Sequence, residues 1–165
     1  GLYEPELVQT YARGMRRKIG LEESRKDDHA LVTDLLQRMA DNRVDYTRLF
    51  RALADFAADG GAGAANEFID RNAFHQWADS YRQRLASEQV DPVLRSRRMK
   101  QVNPKYILRN YLAQRAIDRA GEKDFSEIDR LLKLLRRPFD EQPENESYAA
   151  LPPDWAQHIS VSCSS

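Results

Sequence analysis

A chain of 165 residues in which 26 basic side chains balance 26 acidic ones has no net charge, so no long-range field selects nucleic acid or an anionic lipid surface. A single cysteine excludes an intramolecular disulfide and points to a reducing cytoplasm. No apolar run approaches the ~20 residues that span a bilayer, so neither a membrane span nor a membrane partner is expected. The length suffices for one domain with a real core. The chain opens on Gly1-Leu2-Tyr3-Glu4 rather than Met and already reads as helix there, as expected of a piece cut from something longer.

Apolar residues recur at helical spacing almost throughout, and no stretch alternates with the period of two that a half-buried strand requires. The fold class expected is all-α, a bundle-like domain of about six to eight helices with an extended, Pro-rich C-terminal tail. Leu7, Tyr11, Met15 and Ile19 fall on one stripe that ends at Gly20. Ser24 with Asp27 is set to cap a second helix, whose buried face is Val32, Leu35, Leu36 and Met39. Asp45 caps a third, with Tyr46, Leu49, Phe50 and Leu53 turned inward. These helices make an N-terminal set over residues 1–58.

Residues 59–64, Asp-Gly-Gly-Ala-Gly-Ala, read as a linker, because glycine gives up the most backbone entropy on ordering. A phosphate loop would need a strand feeding the turn and a lysine at fixed spacing, and neither is present. A second helical set of the same domain follows over 65–137. Asn72 is expected to cap a helix carrying Phe74, Trp77, Ala78, Tyr81 and Leu85. Asp91-Pro92 starts a short basic helix, and Asn103-Pro104 the next, with Leu108, Tyr111, Leu112 and Ala116 on its face and Gly121 closing it. Asp124 and Glu127 then open a helix that buries Phe125, Ile128, Leu132 and Leu135 and stops at Pro138.

From 138 to 165 the composition turns to Pro, Glu, Gln, Asn and Ser, yet Phe139, Tyr148, Leu151, Trp155, Ile159 and Val161 remain. At about 2 kcal/mol of burial each, these groups require a surface to lie on. His29, His75 and His158 are scattered and far from the cysteine, so no metal site is expected. Glu22-Glu23 and Asp27-Asp28 sit where a helix start favours negative charge, and are read as caps.

The segment from Arg95 to Arg119 holds Arg95, Arg97, Arg98, Lys100, Lys105, Arg109, Arg115 and Arg119 against Asp118 alone. It is the one hint of a nucleic-acid or protein-binding face, but its charges are spread around two helices, which suits a solvated, paired surface better. Cys163 stands in Ile-Ser-Val-Ser-Cys-Ser-Ser at the very end, sterically free for thiol–disulfide exchange.

"DYTRLFRAL", "EFIDRNAFHQWADSYRQRL", "VNPKYILRNYLAQRAID" and "LPPDWAQHISVSCSS" together resemble the C-terminal third of the selenoprotein O family, over a stretch from Tyr11 or earlier to Ser165. The resemblance implies a kinase-like protein that binds ATP with Mg or Mn and transfers AMP, or UMP in some bacterial members, to protein hydroxyls. It implies that Cys163 occupies the position at which selenocysteine stands in other members, with a cysteine of the catalytic body as its partner. The family's Gly-rich loop, nucleotide lysine, glutamate partner and metal-binding Asn and Asp have no counterpart in this sequence. The expectation is therefore a scaffold with a redox tail: no catalytic, cofactor-binding or metal residue of its own, Cys163 as the redox group, and a missing N-terminal kinase-like region as partner, through which protein substrates are reached. Two other readings stay open: a free-standing helical module working through Arg95 to Arg119, and a small thiol-dependent redox protein.

Overall fold

The structure is a computed structural model that describes the backbone of residues 3–159 and the side chains of residues 5–159. All its regular elements are helices; among the described residues there is no strand. None of these helices is long and apolar enough to cross a membrane. The chain divides into two compact units, Gly1–Asn103 and Pro104–Ser165.

The first unit contains α1 (Tyr3–Lys18), α2 (Asp28–Asp41), α3 (Tyr46–Leu53), the one-turn helices α4 (Phe56–Asp59) and α5 (Ala62–Ala65), α6 (Arg71–Ala86) and α7 (Pro92–Val102). Its core is built on Ile19, Leu35, Leu49, Phe50, Leu53, Phe74, Trp77 and Tyr81. Trp77 and Tyr81 lie one turn apart on α6, and their rings stack with centroids 4.6 Å apart. Each also satisfies its polar handle: Trp77 Nε1 donates to Leu31 O at 2.9 Å and Tyr81 Oη to Ile19 O at 2.8 Å. Residues 59–64 lie inside this unit. Asp59 accepts from the Gly61 and Gly63 amides, and Gly60 and Gly61 turn through left-handed backbone. A Cβ on Gly61 would stand 2.8 Å from the Phe56 ring, so glycine lets two short helices pack tightly.

The second unit has α8 (Asn110–Gly121), α9 (Ser126–Leu135) and two short 3-10 helices, Pro143–Ala149 and Asp154–Ala156. Its core joins Tyr106, Leu112, Ala116, Leu131 and Leu134 to Tyr148, Ala149 and Ala156. The residues beyond Pro138 thus supply three of the nine buried side chains described in this core.

Asp45 caps α3 as expected, accepting from Arg48 N at 2.9 Å; α7 starts where expected, with Pro92 in its first turn, and Asp91 proves to be its cap, accepting from Leu94 N at 2.9 Å. Several local expectations are corrected. Asp70, not Asn72, caps α6, its carboxylate accepting from Asn72 N. Neither Ser24 nor Asp27 caps α2; the carboxylate of Asp28 instead accepts from Arg25 N, closing the turn before the helix. Asn103 opens no helix: it ends α7, its Nδ2 donating to Lys18 O and its Oδ1 accepting from Lys18 Nζ, and α8 begins only at Asn110. Gly121 is the last residue of α8, and the left-handed turn falls at Lys123. On α9 the buried positions are Glu127, Leu131 and Leu134, while Leu132 and, just before the helix, Phe125 face solvent.

Candidate functional site

The strongest sequence candidate, Cys163, lies outside the described residues, as does Val161. What the structure shows is the seat of the segment that leads to it. Gln142 is buried beneath the end of α9, its side-chain amide donating to Leu134 O and Arg137 O. Tyr106 Oη donates to Gln142 O at 2.9 Å, and the Lys105 and Tyr106 amides donate to Pro138 O. Lys105 clamps the same stretch from outside, 2.6 Å from both Glu141 and Glu146. Burial alone would lower the Lys105 ammonium, but its bonds to these two carboxylates prevail and raise it above the ordinary lysine value.

Beneath the tail sits Glu127, buried among Arg115, Arg130 and Tyr148. Burial pushes its carboxyl up, yet the Arg115 bond, the Tyr148 hydroxyl and the two guanidinium charges together hold it below the usual carboxylate range. Further on, Trp155 meets Tyr111 edge to face with ring centroids 6.4 Å apart. Trp155 and Ile159 border a cleft of about 230 Å³ with Arg115, Asp118 and Arg119 of α8. Ile159 packs against the second core. The expected extended tail is, to this point, two short helices with specific anchors.

The basic segment resolves into pairs. Arg95 is buried beside Glu88 at 3.3 Å, Arg98 meets Glu22 at 2.6 Å and Lys100 meets Asp55 at 2.7 Å. Lys105, Arg115 and Arg119 have the acidic partners Glu141 and Glu146, Glu127, and Asp124 respectively. Charges that look like an excess along the sequence are mostly neutralised in space, since the acids come from other elements.

Sequence reasoning missed the tightest ionic cluster, in the first unit. Glu88, just past α6, has a side chain 1% exposed and accepts four donors: the Glu22 and Glu23 amides at 3.2 and 3.0 Å, and the guanidinium groups of Arg84 and Arg95 at 3.0 and 3.3 Å. Arg84 reaches on to Asp28 at 2.6 Å. Burial raises both carboxyls, but for Glu88 the two backbone amides and Arg84, and for Asp28 the Arg84 and Arg25 bonds, outweigh it and hold each below its ordinary value. The cluster pins the loop between α1 and α2, so Asp28 works as a tertiary ion-pair partner, not the helix cap expected. A local signal existed in the i,i+4 pair Arg84 and Glu88, but nothing local gives a partner over 60 residues away.

Neither cluster suits a divalent metal, whose carboxylate ligands must present free lone pairs to the ion. Arginines and amides occupy these oxygens, and no group of three or more His, Cys, Asp or Glu among the described residues could hold a metal ion.

The match to known proteins runs across both units. A family model described as Protein adenylyltransferase SelO matches residues 2–136. The chain belongs to that family. The Protein nucleotidyltransferase YdiU of Burkholderia thailandensis is 51% identical over 168 residues, which takes in the whole of this chain and 32% of the relative. Its namesake in Burkholderia multivorans is 55% identical over 156 residues, 93% of this chain and 30% of the relative. The one in Paraburkholderia xenovorans is 49% identical over 168 residues. The SelO-family chain thus spans about a third of the length of the curated relatives it matches.

Proposed function

We propose that this chain is the C-terminal helical part of a longer SelO-type nucleotidyltransferase that moves AMP, or UMP, from its nucleotide to Ser, Thr or Tyr hydroxyls of proteins in the bacterial cytoplasm. Its part is scaffold and redox tail. ATP and Mg or Mn belong to the upstream kinase-like region, and Cys163 pairs there with a cysteine, making activity redox-sensitive. One observation carries the reading: family membership over residues 2–136 in a chain that accounts for only about a third of its relatives. The first turns of α1 support it. Leu7, Val8 and Tyr11 are 71%, 64% and 55% exposed on one short stretch of helix. Apolar groups so placed gain from being covered, and the rest of the longer protein is the body that covers them.

Calorimetry of the 165-residue chain with ATP and Mg tests the assignment. No Mg-dependent binding is expected, and tight Mg-dependent binding would overturn it. In the longer protein, Cys163→Ser should abolish an oxidant-dependent mobility shift on non-reducing gels.

A further inference from the structure

An open cleft of about 470 Å³ lies where the C-terminal half of α1 meets α7. Arg13, Arg16 and Arg17 enter it from α1 at i, i+3 and i+4, so they share one helix face, and Arg98 enters from α7. Gly20 and Leu21 line the same cleft. The opposing charge is a single carboxylate, Glu22, which is already bound to Arg98 at 2.6 Å. Four guanidinium groups and one carboxylate leave the cleft three charges positive. No described carboxylate forms an ion pair with Arg13, Arg16 or Arg17, although the Asp28 charge acts on Arg16 from outside the cleft, whereas most other arginines of this unit have an acidic partner. The helix macrodipole accounts for cations in the last turn, hence for Arg16 and Arg17. It accounts neither for Arg13 nor for the Arg98 side chain facing them from another helix. Like charges three and four residues apart oppose each other, and a bound anion relieves that opposition.

We propose that this cleft binds a diphosphate group, free or within the phosphate chain of a nucleotide. Guanidinium forks match phosphate oxygens bidentately, and several arginines on one small cleft suit a chain of phosphates better than one group of roughly −1.5 to −2 charge. The proposal stands apart from nucleotidyl transfer, because it concerns a cleft made wholly within residues 13–102.

The test is calorimetric titration of the 165-residue chain with inorganic pyrophosphate, inorganic phosphate, sulfate, and ATP with and without Mg. Pyrophosphate should bind at least tenfold more tightly than phosphate or sulfate, and the double variant Arg16→Gln/Arg17→Gln should lose at least tenfold. Both arginines reach solvent, so the variant should keep its helical circular dichroism. Arg97→Gln, exposed on α7 but off the cleft, is the control and should change nothing. Binding of Mg-free ATP equal to that of pyrophosphate identifies a nucleotide's phosphate chain as the ligand, and binding of pyrophosphate alone identifies the free anion. Mg should weaken either, since it neutralises the same oxygens; binding that requires Mg would instead count against the proposed function. Equal affinity for sulfate and pyrophosphate, or a double variant that binds unchanged, overturns the cleft.

Discussion

Replacing Glu88 by Gln changes one oxygen to an amide nitrogen and leaves shape almost untouched, yet it should be among the most damaging substitutions in the first unit. Every group facing this carboxylate is a donor: two backbone amides and two guanidinium groups. An NH₂ group placed among them leaves donors facing a donor, and the buried Arg95 loses its counter-charge. Removing one partner of a buried pair costs about 3–5 kcal/mol, against a total stability of about 5–15 kcal/mol for a typical domain. For a unit of this size that corresponds to a fall in melting temperature of at least ~10 °C. Urea unfolding followed by tryptophan emission is the assay, because Trp77 is buried in this unit and Trp155, 68% exposed, belongs to the other. Glu22→Gln, which breaks an exposed pair with Arg98, is the comparison and should cost under ~1 kcal/mol. The pH dependence follows from the direction of the shifts. The Glu88 and Asp28 carboxyls lie below their ordinary values in the folded chain, so their contribution is complete above about pH 5 and disappears as pH falls through the folded values. The gap between wild type and Glu88→Gln should be constant near neutrality and narrow below about pH 4. A Glu88→Gln chain no less stable than Glu22→Gln, or a gap that widens in acid, would refute the reasoning.

Two further substitutions probe other contacts. Gly20→Ala puts a Cβ 2.6 Å from the Met99 sulfur at a residue with φ of +73°, so it should destabilise the first unit by about 1–3 kcal/mol in the same urea assay. Glu127→Gln removes the charge shared by Arg115, Arg130 and the Tyr148 hydroxyl, and limited proteolysis should then cut within residues 138–159 several times faster, with the first unit's unfolding unchanged.

Helix content, the stops at Gly20 and Pro138, the Asp45 cap and the start of α7 at Asp91 were legible because they are local. Asp45 and Asp91 each cap within three residues, and Val32, Leu35 and Met39 recur at the spacing that one buried face requires. The failures share a cause in distant partners. Asn103-Pro104 has the form of a helix start, but the Asn103 side chain is held by Lys18, 85 residues away, and an Asn–Pro pair reads the same whichever neighbour it meets. The stripe Leu7, Tyr11, Met15, Ile19 is helical as read, yet only Met15 and Ile19 are buried, because periodicity marks a face without saying whether this polypeptide covers it. For the candidate site, composition led to the expectation of a surface for the apolar residues beyond Pro138; Tyr148 and Ile159 find one, whereas Phe139, Leu151 and Trp155 stay exposed. That the surface is the second unit's own core, reached through Gln142 and Tyr148, required three dimensions.

The anchoring of residues 138–159 bears on how the terminal thiol can be studied. Shortening the chain after Leu135 to remove Cys163 would also strip Tyr148, Ala149 and Ala156 from the protein interior and leave Tyr106 without its acceptor. A loss of activity in such a deletion would report a collapsed half-domain, not sulfur chemistry. The informative edit is a single-atom exchange, serine for cysteine, in otherwise intact polypeptide.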